Sequence, residues 1–282
     1  MMKREIYQIK TDKAWNKVYA RIEKDGLPEG KGLPHKRLYL RQWSLAAAAV
    51  LLLGLVLSIT IHFKNDNSID QKFLLVKNQE TSFSLVTTLE DGSIVYLAEK
   101  ASLQYPQHFS SNKRIVKLDG NAYFNVAHNK AKPFLIETNK VHITVIGTAF
   151  NIKSSNKSPF ELSVSRGEVK VSIQGEENAI HVKAGETVTL HAKSLQLSQT
   201  KDNEQFVRYT ERMRFKDEKL GDIIRVINSQ SQNLQIQTIP SLENRTLTVS
   251  FSNDTPETMA ELICLALNLQ SVKKDNIITI FE

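Results

Sequence analysis

The residues able to do chemistry are few and scattered. Seven histidines are present, and only His142, His181 and His191 fall where neighbouring strands could bring them together. They lack the close ligand spacing that a zinc site uses. Cys264, the sole cysteine, has no histidine beside it and sits on an apolar helical stripe. It reads as a small core residue rather than a nucleophile, and it excludes an internal disulfide framework. Asp91 and Asp119 each precede a glycine, which marks turns rather than an acid–base pair. Neither a GxSxG elbow, nor HExxH, nor a phosphate-binding Gly-Lys-Ser/Thr loop occurs. No enzyme, metal or cofactor is expected. The pattern that remains is a binding one. Trp15, Val18, Tyr19 and Ile22 fall at i, i+3, i+4 and i+7, the spacing of one helical stripe.

That stripe belongs to a segment, 11–26, that opens on Thr11 as a cap and closes on Gly26. Lys13, Lys17, Arg21 and Lys24 occupy its other faces. The glycine- and proline-rich stretch 26–36 that follows reads as a linker. A tail of residues 1–42 is too short to bury its own core. Its aromatic stripe therefore needs an outside partner, either a protein groove or the inner leaflet of a membrane.

Charge distribution places the tail. The chain of 282 residues carries a net +7. Residues 1–42 hold 11 Lys/Arg against 5 Asp/Glu, while residues 64–282 hold 26 against 25. The excess lies beside an apolar run, as in a cytoplasmic flank, and not on a nucleic-acid-binding face. Gln42–Phe63 contains no Asp, Glu, Lys or Arg. At about 1.5 Å per residue it spans roughly 30 Å, one hydrocarbon core. The expectation is a single transmembrane helix at 43–63 in the inner membrane, with the N-terminus in the cytoplasm and the C-terminus in the periplasm.

Residues 70–200 have the rhythm of an all-β domain, with strands of about five residues at intervals near ten. Ile94–Leu97 follow Asp91-Gly92, Val116 and Leu118 lead to Asp119-Gly120, and Val169, Val171 and Ile173 follow Arg166-Gly167. This predicts a sandwich or a solenoid-like stack. Periodicity changes over 212–282. Leu220, Ile223, Ile224 and Ile227 form one helical stripe; Met259, Leu262, Ile263 and Ala266 form another. Strands are expected at Met213–Phe215, Leu234–Gln237, Leu247–Phe251, Ser271–Lys273 and Ile277–Phe281, giving a small split β-α-β unit.

Four motifs in order, LEDGSIVYL (89–97), GNAYFNVA (120–127), KPFLIET (132–138) and VIGTAFNI (145–152), resemble the FecR family of membrane-anchored regulators. The stretch from Phe215 through VSFSNDTPETMAELICLAL (249–267) to DNIITI (275–280) resembles the C-terminal domain of Bacteroidetes-type members. That domain is similar to the short N-terminal domain of secretins and TonB-dependent transducers. The resemblance implies a transmembrane anti-sigma regulator. It would relay a signal from the periplasmic signalling domain of an outer-membrane TonB-dependent transporter to an extracytoplasmic-function sigma factor. It also implies release by stepwise periplasmic and intramembrane proteolysis. The sigma contact would then be Trp15, Val18, Tyr19 and Ile22. The tail is shorter than the family's usual several helices, which leaves inhibition, assistance or both open. A membrane-anchored periplasmic binding module without a regulatory role is the alternative, and the cytoplasmic aromatic stripe argues against it.

Overall fold

A computed structural model describes residues 13–21, 23–24, 53–54, 58 and 72–282, apart from 156–158, 177 and 232. The chain divides into two units, Met1–Ile69 and Asp70–Glu282. The expected transmembrane segment 43–63 lies outside the described residues except at 53, 54 and 58. Among the described residues no helix is long and apolar enough to cross a membrane. In the first unit, 13–21 and 23–24 are helical, within the expected 11–26.

The second unit is mainly β. Its first strands are β1 (Phe73–Lys77), β2 (Ser84–Thr88), β3 (Ile94–Leu97), β4 (Ser102–Pro106), β5 (Arg114–Asp119), β6 (Ala122–Asn125) and β7 (Phe134–Glu137). There follow β8 (Val141–Val145), β9 (Ala149–Lys153), β10 (Glu161–Arg166), β11 (Glu168–Ile173), β12 (Ala179–Lys183), β13 (Glu186–His191) and β14 (Ser194–Gln199). The chain then forms α1 (Glu204–Glu211), β15 (Arg212–Lys219), α2 (Leu220–Gln230), β16 (Gln235–Thr238), β17 (Thr246–Ser252), α3 (Pro256–Leu267), β18 (Gln270–Lys274) and β19 (Ile277–Phe281).

Strand alternation sorts these into sheets. One sheet runs β1-β4-β5-β7-β8-β11-β12, and a second runs β14-β13-β10-β9-β6-β3-β2-β15-β17. Both sheets are open and neither closes into a barrel. Their inward residues meet in one core that includes Leu103, Val116, Phe134, Ile136 and Ile143 from the first sheet. Val95, Leu97, Phe124, Phe150 and Leu162 enter it from the second. Phe124 and Phe150 stack with centroids 5.4 Å apart, so the aromatic residues of two of the sequence motifs are packing residues. Gly120 (φ +95°) and Gly147 stand where any Cβ would fall within 3 Å of backbone, against Ala101 and His128 respectively.

The second sheet has a second buried face. Val86, Ile94 and Tyr96 point away from the first core and join Met213, Phe215, Ile223, Ile227, Phe251, Ile263 and Ile280 in another apolar cluster. Strand β3 is therefore buried on both faces, which explains why Ile94–Leu97 is apolar without interruption. The first helical stripe behaves as its spacing requires, with Leu220, Ile223, Ile224 and Ile227 buried in α2. The second holds in part: Met259 and Ile263 are buried in α3 together with Ala260 and Cys264, while Leu262 is half-buried and Ala266 is exposed. Thr255 caps α3 by accepting from Thr258 N–H, with Pro256 in the first turn.

Two features differ from the sequence expectation. The C-terminal strands do not make one small sheet. β15 and β17 extend the nine-stranded sheet, while β16, β19 and β18 form a separate three-stranded one. Helix α1 is an addition. Its apolar side amounts to Phe206 and Tyr209 in a polar stretch, too little for a periodic signal.

A buried ion pair fastens the mouth of the first core. Arg114 is 1% exposed. Its Nη1 donates to Asp91 Oδ2 at 2.5 Å and to the Ala127 carbonyl at 2.9 Å, and its Nε donates to the Lys132 carbonyl at 2.8 Å. The guanidinium lies 5.2 Å from the centroid of the Phe134 ring. Asp91 is thus more than the turn residue its glycine neighbour announces, although it also accepts from Ser93 N–H within that turn. Removing one partner leaves the other buried without a counter-charge. Arg114→Ala is expected to cost about 3–5 kcal/mol. Urea unfolding of the variant checks this.

Candidate partner-binding site

Two places on the chain stand out by their geometry. The first is the helical segment at 13–21. Trp15 is 59% exposed, Val18 47% and Tyr19 65%. The Trp15 and Tyr19 rings sit 6.1 Å apart, as i and i+4 neighbours on one helical face should. Three of the four stripe residues thus share an exposed face. Ile22, the fourth, lies outside the described residues.

The second place is the junction within 70–282. Strand β15 pairs in parallel with β2 through Met213–Ser84, Arg214–Leu85 and Phe215–Val86. Side chains reinforce the seam. Gln230 Nε2 donates to Tyr96 Oη at 3.1 Å, and Arg214 Nη1 pairs with Glu80 at 2.7 Å. Burial pushes the Tyr96 hydroxyl well above the usual tyrosine range, so it stays protonated. Helix α1 lies over the same sheet. Tyr123 stacks on Tyr209 at 6.0 Å and meets Phe206 at 6.0 Å, while Asn151 Nδ2 donates to Gln205 Oε1 at 2.8 Å. Burial pushes the Tyr209 hydroxyl up to about 12. Beside this helix, Asn151, Lys153, Gln205 and Arg208 help to wall a polar cavity of ≈ 230 Å³.

The remaining chemical candidates stay apart. His181 pairs with Glu168 at 2.5 Å, whereas His142 faces Ser172 across a different strand pair. Among the described residues no group of three or more His, Cys, Asp or Glu is placed to hold a metal. Cys264 is 8% exposed, and burial raises its thiol pKa, the opposite of activation. The open sheet edges are more available. Strand β18 ends the three-stranded sheet, and all five of its residues are exposed.

Comparison with known proteins supplies a family. Residues 80–170 match the family model described as FecR protein. The chain carries a FecR-like domain over that span. The matched span runs from before β2 into β11, most of the two-sheet core. The match supports a regulatory role of the anti-sigma type for this chain. No curated protein matches the chain. Two solved structures resemble it, both of proteins provisionally assigned as anti-sigma factors from Parabacteroides distasonis ATCC 8503. The one at 2.50 Å resolution is 20% identical, covers 75% of this chain and 99% of its own, and has a TM-score of 0.46. The one at 1.65 Å is 21% identical with the same coverage and a TM-score of 0.44.

The junction carries a pH signature. Thr88 Oγ1 donates to Glu218 Oε1 at 2.9 Å. Burial raises the Glu218 pKa above its ordinary 4.5, more than that hydrogen bond lowers it. The unfolded chain therefore releases this proton at lower pH than the folded one. The resulting stabilisation is full below pH 4.5 and is lost as pH rises through the raised folded value. Glu218→Gln is expected to flatten this part of the stability profile while keeping an acceptor for Thr88. Chemical denaturation at a series of pH values checks it.

Proposed function

We propose that this FecR-domain protein is a single-pass inner-membrane anti-sigma regulator, with residues 1–42 in the cytoplasm, 43–63 in the bilayer and 70–282 in the periplasm. Its cytoplasmic helix binds an extracytoplasmic-function sigma factor through Trp15, Val18, Tyr19 and Ile22. Its periplasmic body receives the signalling domain of an outer-membrane TonB-dependent transporter. The observation that carries the reading is an exposed aromatic face in the tail of a chain that also bears a FecR domain.

The physics favours binding over chemistry. A helix with two aromatics and a valine on one face supplies the anchors that a helix-in-groove contact needs. At the other end, the open β18 edge offers main-chain donors and acceptors to a partner strand. The glycine- and proline-rich sequence at 26–36 is of a kind that transmits a rigid rotation poorly, so cleavage or pulling of the anchor is the better relay. The proteases that would cut it belong to this proposal.

Trp15→Ala removes the largest anchor while leaving the rest of the helix intact. It is expected to abolish copurification of the sigma factor with the full-length protein from detergent-solubilised membranes. Undiminished copurification contradicts the assigned contact.

A further inference from the structure

The first strand after the apolar segment has the wrong face for a solvated edge. β1 ends its sheet, and its register with β4 sets Phe73 against Pro106 and Leu75 against Gln104. Val76 turns inward and packs on the core. Phe73 and Leu75 therefore turn outward, and they are 55% and 68% exposed. Ile115 and Leu135, paired across β5 and β7, are half-buried on the same outer face, opposite the core residues Val116, Phe134 and Ile136. Lys72 and Lys77 flank the strand, both exposed. Edge strands in water are usually protected by charge on the outward face, and here the outward positions of β1 are Phe, Leu and Lys.

Sequence distance limits what can cover this strip. Only residues 64–72 separate Phe63, the end of the apolar run, from Phe73. Fully extended, they reach roughly 30–35 Å. A strand tethered this close to a bilayer, with aromatic and aliphatic groups between lysines, has the makeup of an interfacial element. We propose that the outer face of β1, through Phe73 and Leu75, rests on the headgroup region of the membrane that holds residues 43–63. The inference rests on the membrane-anchored reading above. It gives the periplasmic body a preferred orientation, with the membrane as its partner.

The test uses the full chain with Cys264→Ser and one added thiol, reconstituted in phosphatidylcholine–phosphatidylglycerol vesicles. An environment-sensitive fluorophore is placed at Leu75→Cys, at Phe73→Cys or, as a control, at Leu265→Cys, whose native side chain is 81% exposed. Flotation is measured first. The expected result is that the protein floats with the vesicles, and that brominated lipid removes most of the emission at 73 and 75 but little at 265. Equal access of aqueous iodide to all three sites in floating protein overturns the membrane contact and leaves the anchor standing. Shielding that follows protein density rather than brominated lipid also overturns it, in favour of a second copy on this face. Failure to float overturns the anchor and this proposal together.

Discussion

The arrangement of residues 72–282 depends on one short strand pairing, that of β15 with β2. Only three residue pairs make it, in parallel register. Without it, the FecR-type sheets and the C-terminal α/β elements would be two bodies joined by the stretch after β14. With it, a nine-stranded sheet runs from β14 to β17, and its two faces belong to two different cores. Parallel pairs need a long crossover connection. Here the intervening chain is the whole FecR-type sandwich followed by α1, so the pairing closes the longest loop in the body.

That closure explains local features that otherwise look unrelated. β3 is apolar on both faces because both faces are covered. Tyr96 finds Gln230 of α2 for its hydroxyl, and Tyr123 finds Tyr209 and Phe206 of α1. The Asp91–Arg114 pair holds the turn leading into β3, and the adjacent Gly92 lies against the Arg225 side chain of α2. A load applied to the C-terminal elements thus meets the FecR-type core directly through packed side chains and a shared sheet.

Much of this architecture is legible in the sequence, for stated reasons. Turn pairs such as Asp91-Gly92 and Arg166-Gly167 mark strand ends because glycine alone supplies the positive φ cheaply, and both glycines adopt it. The Thr255-Pro256 start of α3 and the α2 stripe are local signals and appear in place, whereas the buried face of α3 includes Ala260 and Cys264 and leaves the expected Ala266 exposed. What was not legible is non-local. Alternation shows that a strand has an inner face, not which sheet it joins, so the division of β15 and β17 from β16, β18 and β19 could not be read. Arg114 gave no signal either, because a buried arginine is identified by its partners, and Asp91 lies 23 residues away. Of the tail stripe, spacing foretold the shared face of Trp15, Val18 and Tyr19, but a face is only half of an interface.

The continuity of the sheet across β2 and β15 is the central claim, and hydrogen exchange tests it most directly. Amide protection is compared along the full-length protein and its Phe215→Ala variant, since Phe215 is fully buried on β15 opposite Val86. If the two cores share one sheet, the variant loses protection in β2 and β3 as well as in β15 and β17. Loss confined to residues 212–282, with β2 and β3 unchanged, would contradict the account.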